Sequence, residues 1–277
     1  SIFFKNSFFL KGSSKKKITP VLQVRLLSIF SLKLLKGLQK NHSSGIVIFF
    51  NLYRNRFSMT EIIKNYKRIL IQIERYNKEF SATSQNPKLI AVSKTFSEDK
   101  IQLVIDQGQH IFGENKVQEA TRKWIDLKKR NKKIELHLIG PLQSNKVKEA
   151  LEVFDVIQTI DREKIVKKIK DNLNGKEMSF FVQVNIGDEP QKNGLKIPEV
   201  DAFVKWCIND MDLRVTGLMC IPPVDGESSY YFNLLSNLKE KLKLQHASMG
   251  MSNDFAKAIQ FGATYLRVGS AIFGNRS

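Results

Sequence analysis

The sequence predicts an α/β protein whose folded part is one closed (β/α)8 TIM barrel, a single domain preceded by an extra helix and a basic N-terminal extension. Three observations predict it. Short apolar runs of strand type recur eight times, helix-periodic segments of matching length follow them, and residues 59–277, 219 in number, fall within the roughly 200 to 250 of a closed eight-unit barrel. Alternation of this kind forces parallel pairing, because a helical crossover returns the chain to the same end of the sheet. An open doubly wound sheet is the alternative. It calls for a glycine-rich turn after its first strand, and Ser93-Lys94-Thr95 is not one.

Taken in order, the apolar positions Ile62, Ile63, Tyr66, Ile69, Leu70, Ile73 and Tyr76 fall at helical spacing and give an amphipathic helix with Thr60 as its cap. The first strand is Leu89 to Val92, followed by a helix opened by Ser97, Glu98 and Asp99 and closed at Gly108. His110 to Phe112 makes the second strand. The third, Ile134 to Ile139, alternates apolar residues with Glu135 and His137, and the fourth runs from Val153 to Ile160 before an Asp161-capped helix ending near Gly175. Phe180 to Val184, Val215 to Met219, Gln245 to Ser248 and Tyr265 to Val268 complete the set.

Charge divides the chain. Of the formal +18, residues 1–58 carry +11 from eleven Lys and Arg with no Asp or Glu, leaving +7 on the remainder (18 less 11). That residue of charge suits Lys-rich solvated helix faces, so no nucleic-acid partner is expected. The extension itself is basic, Ser-bearing and acid-poor, as a transit peptide is, while Met59 stands directly before the first patterned helix, as a true start would. Its apolar runs Val21 to Leu27 and Ile46 to Phe50 are much shorter than the roughly 20 residues of a membrane span. No membrane partner is expected. Cys207 and Cys220 lack metal-binding or disulfide spacing, which fits a reducing compartment. The expected location is the cytoplasm, or an organelle if the extension is a genuine transit peptide.

In a barrel, chemistry sits where strands end. Lys94 follows the apolar run Leu89-Ile90-Ala91-Val92, and a lysine there is partly desolvated, which frees its amine to attack a carbonyl. A solvated or ion-paired lysine is the bland alternative from position alone. The last two strand ends change the balance. Ser248-Met249-Gly250-Met251-Ser252 and Arg267-Val268-Gly269-Ser270 are rich in small residues: Gly250 and Gly269 let backbone amides approach an anion, and Ser252 and Ser270 add hydroxyl donors. A helix opening at Ser252 would add its positive end, with a plain N-cap as the modest alternative. A lysine opposite a phosphate cradle is what a phosphorylated aldehyde requires, and pyridoxal 5′-phosphate is such a molecule. Arg267 then faces the pyridine nitrogen, where a cation disfavours ring protonation; a structural ion pair is its alternative role.

The runs Ala91-Val92-Ser93-Lys94-Thr95, Gly113-Glu114-Asn115, His137-Leu138-Ile139-Gly140-Pro141-Leu142-Gln143-Ser144-Asn145-Lys146, Gly217-Leu218-Met219, Ser248 to Ser252 and Arg267 to Gly274 resemble the pyridoxal phosphate homeostasis proteins, across all of 59–277. The resemblance implies a barrel like the N-terminal domain of alanine racemase, with Lys94 forming a Schiff base with the cofactor. It also implies phosphate contacts from Ser252, Gly269 and Ser270, backbone help near Met251, and Arg267 near the ring nitrogen. Asn115, Asn185 and Gln191-Lys192-Asn193-Gly194 match family positions at the mouth, with Lys192 as a second lysine able to receive the aldehyde transiently. Ser270 stands where many relatives have Thr, and Cys220 where a small residue such as Ala is common. The extension has no family counterpart.

The function implied is to hold pyridoxal phosphate and hand it to pyridoxal-phosphate-requiring apoenzymes, as a monomer and without dedicated catalysis. A barrel-type amino-acid racemase is the second reading. Such an enzyme needs a second base on the opposite face of the cofactor, which related racemases take from an added β-domain and a partner subunit; with seven residues after Ser270, no such domain is expected. His137 is expected to be a hydrogen-bonded core histidine.

Overall fold

In a computed structural model, residues 43–80 and 86–274 are described, with side chains from Met59 onward. The chain divides into Ser1–Phe57 and Ser58–Ser277. Most of the basic extension, with its run Val21 to Leu27, lies outside the described residues. The first helix, α1 (Ser43–Phe80), starts sixteen positions ahead of Met59, so Thr60 lies inside it rather than at its N-cap position. Of the predicted face, Ile62, Tyr66, Ile69 and Ile73 are buried, Ile63 and Tyr76 are half-buried, and Leu70 is exposed.

The barrel then runs β1 (Lys88–Val92), α2 (Glu98–Ile105), β2 (Ile111–Glu114), α3 (Val117–Arg130), β3 (Glu135–Leu138), a 3-10 turn (Ser144–Lys146) leading into α4 (Val147–Val153), and β4 (Val156–Ile160). It continues with α5 (Glu163–Asn172), β5 (Ser179–Val184), α6 (Ile197–Asn209), β6 (Val215–Cys220), α7 (Ser228–Lys241), β7 (His246–Ser248), α8 (Phe255–Gln260), β8 (Tyr265–Val268) and α9 (Ser270–Phe273). All eight strands pair in parallel with their sequence neighbours, and β1 closes on β8, with Ile90 opposite Arg267 and Ala91 opposite Val268. The predicted (β/α)8 architecture is the observed one.

The helix after β4 opens at Glu163 with Arg162, not Asp161, at its N-cap position, and two strand bounds also depart from the sequence reading. β2 extends to Glu114, so Gly113 and Glu114 belong to the strand. Val153 closes α4, and β4 starts only at Val156. The reason is common to both: a strand's bounds follow its ladder bonds, which tolerate Gly and Glu when both faces are covered by protein.

Both faces are covered here. Leu136, Leu138, Ile157 and Leu266 pack outward against the helices in the main core, while Ile90, Val156, Phe181, Met219 and Tyr265 fill the barrel interior. Gly113 makes room for this filling: a Cβ there would lie 2.8 Å from Ile90 Cγ2. Glu135 and His137 point inward, since Gly113 pairs with His137 and His137 with Val156.

Candidate functional site

Lys94 occupies a tight turn just beyond β1. Phe96 N donates to Ser93 O at 3.2 Å, closing a four-residue turn whose third residue, Thr95, has φ +69°. A turn of this kind asks for positive φ at that position and usually has Gly there. A β-branched residue in the left-handed region costs about 1–2 kcal/mol, so something must hold it. Thr95 N donates to Glu119 Oε1 at 2.5 Å, and Lys123, one helical turn on in α3, contacts Glu119 Oε1 at 2.8 Å and donates to Ser93 O at 3.0 Å. Glu114 Oε1 accepts from Ser93 Oγ at 2.7 Å and Trp124 Nε1 at 3.0 Å, and pairs with Lys123 at 2.8 Å. Glu114 is fully buried, and its other oxygen has no hydrogen-bond partner. Burial pushes its carboxyl above the ordinary range despite Lys123, Ser93 and Trp124. Burial pushes Glu119 the same way, but the bonds from Lys123 and Thr95 outweigh it and hold that carboxyl low.

Lys94 is half-buried. The sequence reading set it opposite the phosphate loops, and this is corrected by the closure of the barrel: β1 and β8 are hydrogen-bonded neighbours, about 4.8 Å apart. Gly269 lies against the end of β1, where a Cβ would meet Val92 Cβ and Val92 O at 3.2 Å each. Phe96 stacks on Phe273 with ring centroids 4.9 Å apart, joining the lysine turn to the segment beyond Gly269.

The predicted cradle residues do converge. Ser270 Oγ donates to Ser252 Oγ at 3.1 Å, and Ala271 N donates to the same Ser252 oxygen at 3.3 Å. Among the described residues, no backbone carbonyl accepts from the amides of Ser252, Asn253 or Ser270. Gly250 has φ +85°, and its carbonyl accepts from Arg267 N at 2.9 Å, which ties the two loops together. One expectation fails. α8 starts at Phe255 with Asp254 at its N-cap position, so no helix opens at Ser252 and the anion-binding capacity is that of loop amides and hydroxyls. The Met251 amide is bonded to Asp254 Oδ1 at 2.6 Å.

Arg267 is buried and faces the interior. It donates to Ser248 Oγ at 2.8 Å and to Cys220 O at 2.7 Å. From Ser248 the bonds continue to Gln158 Oε1 (2.6 Å), from Gln158 Nε2 to His137 Nδ1 (2.8 Å), and from His137 Nε2 to Glu135 Oε1 (2.6 Å). A guanidinium only donates and a carboxylate only accepts, so the chain has one sense, and His137 carries its proton on Nε2. His137 is thus the hydrogen-bonded core histidine expected. Cys220 is a buried thiol pushed up to about 12 by desolvation, inert as a nucleophile.

The remaining predicted residues sit at the rim. Asn115 follows β2, half-buried, with a buried Oδ1 that has no hydrogen-bond partner. Asn185 gives both ends of its amide to the Glu189 backbone, at 2.8 and 3.1 Å, so it shapes the loop after β5. Lys192 donates to Pro222 O at 3.0 Å and pairs with Glu189, which ties it to that loop and to the one after β6. The sequence reading missed Glu119, Lys123, Gln158 and Asp254. The spacing of Glu119 and Lys123 by four was visible, but it reads as an ordinary solvated helix pair.

One amine, one cluster of anion donors on the adjacent strand end and one buried cation therefore share the C-terminal mouth of a (β/α)8 barrel. Residues 70–277 match the family model described as alanine racemase, N-terminal domain, which defines the class: a barrel of the alanine racemase N-terminal type. The chain is 38% identical over 231 residues to the pyridoxal phosphate homeostasis protein of Pasteurella multocida, spanning 78% of this chain and 97% of that one. The solved structure of PipY from Synechococcus elongatus with pyridoxal phosphate bound matches with TM-score 0.63 and 31% identity, over 73% of this chain and all of that one. The form without pyridoxal phosphate gives TM-score 0.68, 29% identity and 77% coverage of this chain. This chain belongs to the pyridoxal phosphate homeostasis protein family.

Proposed function

We propose that this protein binds pyridoxal 5′-phosphate, holds its aldehyde as a Schiff base on Lys94, and passes the cofactor as a monomer to apoenzymes that require it. When bound, the cofactor supplies an aldehyde that condenses with a primary amine as one water leaves. The observation that carries the reading is the seam between β1 and β8. The aldehyde and the phosphate arm stand on adjacent ring carbons of this cofactor, and Lys94 and the Ser252–Ser270 donors stand on adjacent strand ends. The close fit of Gly269 against Val92 would crowd a side chain at the join, whose Cβ would meet Val92 Cβ and O at 3.2 Å. The solved relative with pyridoxal phosphate bound supports the same reading.

Arg267 faces the ring nitrogen in this reading. Burial lowers its pKa from the ordinary value, yet a guanidinium stays charged, and a cation there disfavours ring protonation. That weakens the electron withdrawal on which carbanion chemistry depends, which suits holding over turnover. The test is to load the full chain with pyridoxal phosphate, record the visible absorption band, reduce with borohydride and map the modified residue by mass spectrometry. Modification at Lys94 is expected; modification elsewhere, or none, rejects the proposal. A panel of L- and D-amino acids tests the racemase alternative, and robust turnover dependent on Lys94 would favour it.

A further inference from the structure

The geometry points to Lys123 as the positioning residue for Lys94, acting with Glu114 and Glu119 as a clamp that fixes the lysine turn from outside the barrel. This rests on the proposed role of Lys94, and it extends it to residues outside the proposed set of cofactor contacts. Lys94 sits between two pinned neighbours. Ser93 is held at its amide by Gly113 O (3.0 Å), at its hydroxyl by Glu114, and at its carbonyl by Lys123. Thr95 is held at its amide by Glu119, in a left-handed conformation that its branched side chain disfavours. Lys123 is 12% exposed, and its ammonium joins both carboxylates. With the clamp in place the turn has one conformation. Without it, Thr95 relaxes and the direction in which Lys94 leaves the backbone changes.

The arrangement accounts for a feature otherwise unexplained. A buried carboxylate with one unpartnered oxygen is costly, and Glu114 is retained in the second strand all the same. Its bonds go to Ser93, Lys123 and the Trp124 indole, so its position decides where the residue before Lys94 lies.

The test uses the full chain, with pyridoxal phosphate as the probe. In Lys123→Met and in Glu119→Gln, the rate at which the Schiff-base band grows and the affinity for pyridoxal phosphate are both expected to fall about tenfold, which is about 1.4 kcal/mol in affinity. Exchange of the Thr95 amide with solvent, followed without cofactor, is expected to accelerate in both. Lys123→Arg should restore most of the loss. So should Thr95→Gly placed in the Lys123→Met background, because glycine adopts the same turn without the clamp. A merely structural role for Lys123 would lower thermal stability but would not be relieved by Thr95→Gly. The inference is overturned if both variants bind within twofold of the parent at an unchanged rate, or if Thr95→Gly restores nothing. Should Lys123→Met fail to fold, Glu119→Gln, at a more exposed carboxylate, decides the matter. If the parent chain shows no modification at Lys94, it is the proposed function that has failed, and Thr95 exchange alone then judges the clamp.

Discussion

Replacing Gln158 by leucine removes the middle of the buried chain that runs from Arg267 to Glu135. Gln158 is fully buried, accepts from Ser248 at 2.6 Å and donates to His137 Nδ1 at 2.8 Å. Leucine fills comparable space, so the change orphans two groups, the Ser248 hydroxyl hydrogen and the His137 ring nitrogen, while leaving little cavity. Each orphaned group costs about 1–3 kcal/mol, and removing the buried amide itself returns part of this, for a net loss of about 2–4 kcal/mol. For a domain of this size that is roughly 5–12 °C in melting temperature. Urea unfolding followed by far-ultraviolet circular dichroism measures the loss. Adding His137→Phe to Gln158→Leu removes one of the orphans, so the double variant should lose about 1–2 kcal/mol less than the sum of the singles. A loss under about 0.5 kcal/mol for Gln158→Leu, or strict additivity, would refute the chain as a coupled unit.

Three further outcomes are expected. Gly250→Ala places a Cβ 2.5 Å from Ala258 Cβ at φ +85°, so left-handed strain and overpacking together should cost about 2–4 kcal/mol in unfolding experiments, with weaker pyridoxal phosphate binding. Ser252→Ala with Ser270→Ala removes the paired hydroxyls and should weaken pyridoxal phosphate binding by about tenfold or more in equilibrium titration, while circular dichroism shows the barrel still folded. On acidification, His246 titrates below its ordinary 6.5, held down by burial and then by Lys88, His137 and Lys239 against the opposing pull of Glu135. The unfolded chain therefore takes up that proton first, and stability should fall as pH drops below about 6.5. A second fall should follow below about 4.5, because the bond from His137 lowers Glu135, whose contribution is lost as pH passes through its folded value. His246→Gln should flatten the first fall in melting temperature measured against pH.

Much of this architecture could be read from sequence because a parallel barrel advertises itself. Its strands are short apolar runs such as Leu89–Val92 and Val215–Met219, and its helices follow each at regular intervals. The mouth residues Lys94, Ser252, Gly269 and Ser270 were legible for the same reason, since they fall where those runs stop. What escaped depends on closure and on three-dimensional pairing. That β1 adjoins β8 is a property of the closed ring, and it turns an amine set across from a cradle into an amine beside one. That His137 is a core histidine was legible, but its partners were not: Gln158 and Ser248, on other strands, satisfy His137 and Arg267 inside the barrel. Helix α1 continues upstream of Met59, where the amphipathic pattern that marks its later half is missing.

The site is made of loops, and loops are ordinarily the softest part of a fold. Here each half of it is tied to a buried charge. The lysine turn is held by Glu114, which is fully buried, and the Gly269 side follows Arg267, whose guanidinium is locked between Ser248 and Cys220. Moving either loop would strand a charge in a region from which water is excluded, a cost of several kcal/mol, much larger than the strain stored at Thr95. Rigidity at the mouth therefore comes from electrostatics beneath it, through partners that a ligand never meets. Asn185 and Lys192, at the rim, are already spent on shaping their own loops. Under the proposed function, release of the cofactor depends on the lysine turn and its clamp, which are the parts of the seam reached from α3 on the outer wall of the barrel.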